Sequence, residues 1–94
     1  MSDHDQITRK AELIRSKFKD YLDDANNSQA RQVQGDIEGL VSDAKGKKSR
    51  ETIENRLRNI ISGLERLEDE AMDFRHSDQI KGMCEDLRRD TAKL

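Results

Sequence analysis

The sequence predicts an all-α protein: an antiparallel up-and-down bundle of three long helices followed by a short C-terminal fourth helix. Three observations indicate this fold. Proline is absent and charged residues make up 40% of the chain, a composition that favours helices over a β-sandwich. Apolar residues recur at alternating steps of four and three, which places them on one face of a helix. Short polar stretches separate four such patterns, as in bundles with short turns.

The length of the chain predicts a single domain over residues 1–94. A chain of 94 residues has room for one modest core and no second one. The net charge of −2 and the periodic spacing of the apolar residues favour a folded chain over a disordered one. We expect a marginally stable domain, which self-association would stabilise further.

The first helix is predicted at about residues 4–25. Asn26 and Asn27 interrupt its pattern, and asparagine tolerates the left-handed conformation that ends helices. Leu13 lies beside the apolar stripe and widens it. The stripe itself consists of Ile7, Ala11, Ile14, Phe18, Tyr21, Leu22 and Ala25.

The second helix is predicted at 28–45, with Ser28 as its N-cap and Gly46 as its C-terminal stop. Gly35 and Gly39 lie four residues apart and so share one face. Each costs a helix interior about 1 kcal/mol relative to alanine. Either a neighbouring helix approaches closely there, or the face is exposed and the helix weakly stable. The apolar stripe is formed by Ala30, Val33, Ile37, Leu40, Val41 and Ala44.

The third helix is predicted at 50–75, with Ser49 as its N-cap. Its apolar ladder is the longest in the chain: Ile53, Leu57, Ile60, Leu64, Leu67, Ala71 and Phe74. The pattern then changes phase, which favours a break and a fourth helix at 78–92 capped by Ser77 or Asp78. A bent continuation of the third helix is the alternative. The fourth stripe is Ile80, Cys84, Leu87, Thr91 and Leu94.

Composition also limits the classes of partner. A net charge near zero creates no field that would attract nucleic acid or anionic lipid. No apolar run is long enough for a membrane span or a signal peptide. The basic stretch at 45–50 is typical of a solvated turn, with contact to an acidic partner as the alternative. A lone cysteine excludes an internal disulfide. We therefore expect a cytoplasmic protein.

No residue pattern indicates an enzyme. Cys84 falls on the apolar stripe of the fourth helix, where a thiol acts as a small hydrophobe. The sequence has no glycine-rich phosphate loop and no nucleophile elbow. It has no spacing of histidines and cysteines that would hold a metal. We expect no catalytic residue, no cofactor, no metal and no small-molecule substrate.

The function predicted from the residues is a non-enzymatic protein–protein interaction module. Its partner is another protein or a second copy of the chain. Stripe residues left uncovered would form the contact surface, because a widened amphipathic helix serves both a core and a partner. The candidates, which lie beside the main stripes, are Leu13, Val41, Ile61 and Met72. The alternative is a structural homodimer or coiled-coil scaffold, paired through the third helix.

Residues 13–72 resemble the C-terminal helical lid of the seventy-kilodalton heat-shock chaperones. The resemblance rests on Leu13-Ile14-x-x-x-Phe18-x-x-Tyr21-Leu22, Val33-x-x-x-Ile37-x-x-Leu40, Ala44-Lys45-Gly46, Glu51-x-Ile53 and Leu57-x-x-Ile60-x-x-x-Leu64-x-x-Leu67. It implies a small bundle that closes over, or extends beyond, a peptide-binding β-domain. No ATPase or β-domain is present in these residues, so the resemblance implies a free-standing or accessory chaperone module without a nucleotide or peptide site. Lys47 and Lys48 stand where that family has acidic residues.

Overall fold

A computed structural model describes residues 3–22, 28–70 and 74–94 of the chain. These residues form four α-helices: α1 (Asp3–Leu22), α2 (Ser28–Lys45), α3 (Arg50–Glu70) and α4 (Phe74–Thr91). None of the described residues lies in a strand. The predicted all-α fold is confirmed.

The four helices pack as a square bundle. α1 contacts α2 and α4, and α3 contacts the same two helices. Within the described part of the chain, the diagonal pairs α1–α3 and α2–α4 make no close backbone contact. The Cα atoms extend over 37 × 18 × 18 Å. Since a helix of about 20 residues is about 30 Å long, all four helices run along the bundle axis, up and down in chain order.

The core lies between the four apolar stripes. Its side chains, Cys84 included, are 3% exposed or less. The ladder of α3 is buried from Ile53 to Leu67, as its spacing predicts, because α3 packs against both α2 and α4. Burying each large aliphatic side chain stabilises the fold by about 1.5–3 kcal/mol. The ladder's last two predicted positions, Ala71 and the side chain of Phe74, lie outside the part of the chain that is described.

The boundary between α3 and α4 differs from the prediction. α3 ends at Glu70 and α4 begins at Phe74, so α4 has 18 residues and is as long as α2. The predicted caps Ser77 and Asp78 therefore lie inside α4. Ser77 is fully buried and its hydroxyl donates to a carboxylate of Glu68, so it anchors α4 on α3 and does not cap α4. Because α4 packs back on α3, the two are separate helices. The predicted segment 23–25 and the junction 71–73 lie outside the described residues.

The turn between α2 and α3 places the left-handed residue one position later than predicted. The amide of Gly46 still donates to Ser42 O at 2.9 Å, as in a helix. Lys47 has φ 54°, and the amide of Lys48 donates back to Asp43 O at 3.0 Å. This is the hydrogen-bond pattern of a Schellman cap, with a lysine where glycine is usual.

Ser49 caps α3 as predicted. The amide of Thr52 donates to Ser49 Oγ at 3.3 Å, which satisfies one of the free amides of the first turn. The hydroxyls of the same two residues lie 3.0 Å apart. The turn is thus closed on both sides, by the Schellman cap of α2 and by the N-cap of α3.

Gly35 and Gly39 have different environments. A Cβ on Gly35 would meet nothing within 4 Å, whereas one on Gly39 would lie 2.7 Å from Cζ of Arg56. The open-face interpretation therefore applies to Gly35 and the close-approach interpretation to Gly39. Gly63 of α3 is a second close approach: a Cβ there would lie 2.6 Å from Cγ2 of Val33.

Candidate interaction surface

The four residues predicted to contact a partner have different positions in the bundle. Leu13 is 56% exposed. Ile61 is partly buried and packs against the core. Val41 is 3% exposed, so its side chain belongs to the core and offers no contact surface. Met72 lies outside the described residues.

Leu13 lies at a shallow groove between α1 and α4. The groove has a volume of about 190 Å³ and is lined by Lys10, Leu13, Met83 and Asp86; we call these four residues the α1–α4 face. Met83 is partly buried against the core, and Leu13 is exposed beside it. Leu13 and Met83 are 70 residues apart in the sequence and line the same groove because α1 and α4 are neighbours.

Leu13 and Met83 lie beside the buried stripes because each directly precedes a stripe residue in its helix. Ile14 occupies the buried stripe of α1, and the preceding residue is rotated away from it by about 100°. Met83 precedes buried Cys84 in the same way. Sequence reasoning missed Met83, although its position beside an apolar stripe is the same signal that identified Leu13.

An ion-pair cluster borders the groove. Lys10 Nζ lies 2.7 Å from Asp86 Oδ2 and 2.5 Å from Asp90 Oδ2. Hydrogen bonds to Asp86 and then to Asp90 raise the pKa of Lys10, because both favour its charged form. The hydrogen bond from Lys10 in turn lowers the pKa of Asp86. The cluster ties α1 to α4 beside the apolar pair.

A second polar cluster ties α3 to α4 near the other end of the bundle. Lys81 Nζ lies 2.7 Å from Glu68 Oε1, the carboxylate that also accepts from Ser77. Hydrogen bonds from Lys81 and then from Ser77 lower the pKa of Glu68, and the bond to Glu68 raises the pKa of Lys81. The buried serine hydroxyl is thus satisfied, as buried polar groups generally are.

The α2–α3 contact is bordered by an arginine. Arg56 lies over Gly39, with Nε 3.3 Å from Asp43 Oδ2 and Nη1 3.7 Å from Asp36 Oδ1. Between α1 and α2, Arg15 Nη1 lies 3.6 Å from Glu38 Oε2. Each helix interface therefore combines an apolar centre with a charged border, and these charges are paired within the chain.

The free thiol of Cys84 lies in the core. Burial raises the pKa of the Cys84 thiol to about 12, so the thiol stays protonated and weakly nucleophilic at neutral pH. In residues 3–20, 28–69 and 77–94, no three His, Cys, Asp or Glu side chains come together as a metal site would require. His4 lies at the start of α1 with its ring Nε2 3.2 Å from Lys48 O, a contact that joins α1 to the α2–α3 turn.

The ladder of α3 is covered inside its own chain. Ile60 and Leu64 are fully buried, so a dimer of intact bundles must use another surface. Leu13 and the chain-terminal Leu94 are the large apolar side chains that are exposed in the described part of the molecule. Of these two, Leu13 lies in a groove between two helices, so the α1–α4 face is the candidate interaction surface.

Comparison with protein-family models, with curated proteins and with solved structures found no match. Among the described helices, none is both long enough and apolar enough to cross a membrane.

Proposed function

We propose that this chain is a non-enzymatic protein–protein interaction module that binds an amphipathic helix on its α1–α4 face. One observation carries the proposal: Leu13 is 56% exposed and lies beside Met83, while the other apolar side chains of α1 that are described are buried. A single exposed leucine is common on protein surfaces. Here it has an apolar neighbour on a second helix, and the two flank a groove.

The residues that line and border the groove support an amphipathic helix as the partner. An apolar side chain of the partner would cover Leu13 and Met83, as apolar residues on one face of a helix do in a groove between two helices. Lys17 lies one turn further along α1 and is exposed, so an acidic residue one turn along the partner helix would complement it. Asp86 is half exposed at the other border and would accept a basic residue. Such rim charges set orientation and association rate more than affinity.

We propose that this binding assists a chaperone. The proposal comes from the spacing of apolar residues that the chain shares with the lid of the seventy-kilodalton heat-shock chaperones. The shared positions include Ile14, Ile37 and Leu57, all of which are buried in the bundle. A lid-like module without nucleotide chemistry would assist a chaperone by contact alone. We place it in the cytoplasm, because its single cysteine is a buried free thiol, as suits a reducing compartment.

The test is affinity capture from the native cell followed by binding measurements with the purified partner. Leu13→Asp places a charge at the centre of the apolar contact and should weaken binding at least about tenfold, which corresponds to about 1.4 kcal/mol. The helix content should not change, because the side chain is exposed in the free protein.

Ser16→Asp is the matched control. It adds the same charge to the same helix, but Ser16 is exposed and faces the groove between α1 and α2. It should leave the dissociation constant unchanged. Equal affinity of Leu13→Asp and the unmodified chain for every partner recovered would refute the α1–α4 face as the binding site.

A further inference from the structure

The turn between α2 and α3 concentrates positive charge at one end of the bundle. Four of the six residues 45–50 are basic and none is acidic. The four side chains are exposed, and none of them forms an ion pair with another described residue. By contrast, the cations that border the helix interfaces, such as Lys10, Arg56 and Lys81, are paired with carboxylates. We call the four unpaired residues the basic turn: Lys45, Lys47, Lys48 and Arg50.

Two residues of the basic turn lie where local energetics disfavour them. Lys47 has φ 54°, a left-handed conformation that is strained for a residue with a side chain. None of the described glycines has a positive φ, although glycine adopts this conformation without strain. Arg50 is the first residue of α3, where the positive end of the helix dipole favours an acidic residue over a basic one.

The helix dipole therefore explains only part of the cluster. Lys45 in the last turn of α2 complements the negative end of that helix. The same effect accounts neither for Arg50 at the positive end of α3 nor for the strain at Lys47. Residues that the local rules disfavour concentrate at functional sites, where binding offsets their cost.

The backbone of the basic turn is fixed by the fold of the free chain. The amide of Lys48 donates to Asp43 O at 3.0 Å, and Ser49 caps α3. The ring Nε2 of His4 lies 3.2 Å from Lys48 O, so the start of α1 holds the turn from another side. Lys48 Cε would lie 3.6 Å from a Cβ on Gly46, which shows that this side chain folds back over the turn. A preorganised surface loses less conformational freedom when it binds.

From these features we infer that the basic turn binds a short acidic peptide segment of a partner protein. The carboxylates of such a segment would pair with the four cations and relieve the repulsion between them. The bundle is 18 Å across, which about five extended residues span at about 3.3 Å per residue. A run of about four acidic residues would therefore cover the basic turn.

The charges around the basic turn favour a peptide over a nucleic acid. Asp3 and Glu51 are exposed beside it and would repel a phosphate backbone that continued past the turn. The chain as a whole has a net charge of −2, which gives no wider field for a long polyanion. This surface lies at the end of the bundle, and its binding is independent of the partner proposed for the α1–α4 face.

The test uses a capped, fluorescent hexaglutamate peptide and the unmodified chain. Anisotropy gives the dissociation constant, and amide chemical shifts recorded during the same titration locate the contact. Binding should saturate and weaken as salt is added, because exposed charge pairs are screened. The amides of residues 45–50 should shift most. A titration that leaves these amides unchanged, or shifts another surface more, would overturn the inference.

A double variant removes two of the four cations. Each exposed pair contributes up to about fivefold in affinity, so Lys47→Gln combined with Arg50→Gln should weaken hexaglutamate binding roughly tenfold. Lys19→Gln combined with Arg66→Gln is the matched control, because it removes the same two charges from exposed positions on α1 and α3. The control should bind within about twofold of the unmodified chain. Equal weakening in both double variants would refute the basic turn as the site.

Lys47→Gly separates binding from folding. Glycine relieves the strain at this position but removes one cation, so the variant should bind hexaglutamate up to about fivefold more weakly while it unfolds at a higher urea concentration. An affinity equal to that of the unmodified chain would contradict a binding role for Lys47.

Two other anions test the choice of partner. A single-stranded hexathymidylate and vesicles of anionic lipid are titrated at the same salt concentration as hexaglutamate. Tighter binding of either one would overturn the assignment to an acidic peptide. Hexaglutamate has no apolar side chain, so its binding does not involve Leu13. A failure of this test therefore leaves the partner proposed for the α1–α4 face unaffected.

Discussion

Gly63→Ala should destabilise the bundle, although alanine is the better helix former. The added Cβ would lie 2.6 Å from Cγ2 of Val33, and both residues are buried. Helix propensity contributes a gain of about 1 kcal/mol, whereas overpacking a core costs about 1–3 kcal/mol. The net loss is about 1 kcal/mol, which should lower the melting midpoint by about 4–8 °C in a domain of this size. Thermal and urea unfolding followed by circular dichroism measure it.

The same substitution at Gly82 is the matched control. A Cβ there meets nothing within 4 Å, so Gly82→Ala should raise the midpoint by about 4–8 °C through propensity alone. Val33→Ala removes the clashing methyl group, and in that background Gly63→Ala should become stabilising. If Gly63→Ala alone stabilises the chain as much as Gly82→Ala does, the close approach of α2 and α3 is wrong.

Two further predictions concern acid and the α2–α3 turn. The pKa values of Glu68 and Asp86 are lowered in the folded state, so their stabilising contribution is present above the unfolded carboxylate pKa and is lost as pH falls through the folded values. The urea midpoint of the unmodified chain should therefore fall on acidification. It should fall less in Lys81→Met, because Glu68 then lacks its cationic partner. An equal fall in the variant and the unmodified chain would contradict the Glu68–Lys81 pair. Lys47→Gly should raise the unfolding free energy by about 1 kcal/mol, because a left-handed conformation costs lysine but not glycine. Gly46→Ala, at the position before Lys47, should not raise the unfolding free energy.

The helical elements could be predicted because their signal is local. The spacing from Ile53 to Leu67 fixes one buried face whatever the neighbours are, since 3.6 residues per turn aligns the steps of four and three. The N-cap at Ser49 is equally local, because its hydroxyl accepts from an amide three residues on. The same reasoning predicted the end of α2 at Gly46, but the residue with the left-handed conformation is Lys47, one position later.

The contact surface could be predicted only in part, because residues beside a stripe face the adjacent helices. Val41, at the edge of the stripe of α2, and Leu13, beside the stripe of α1, were both predicted as contact residues, yet Val41 is covered and Leu13 is 56% exposed. The difference depends on how closely the neighbouring helix covers each flank. Met83 was missed because its significance depends on lying beside Leu13 at the α1–α4 groove.

The sequence alone determined that this protein is helical and how its apolar faces are spaced, and with that spacing the buried ladder from Ile53 to Leu67. The tertiary structure decided which helices are neighbours, and thereby which flanking residues are covered. It also distinguished Gly39, which lies under Arg56, from Gly35, which lies in open space. The physical reason is the separation along the chain over which each effect acts. Helical periodicity depends on residues within one or two turns, whereas the burial of a flanking side chain depends on helices far apart in the sequence.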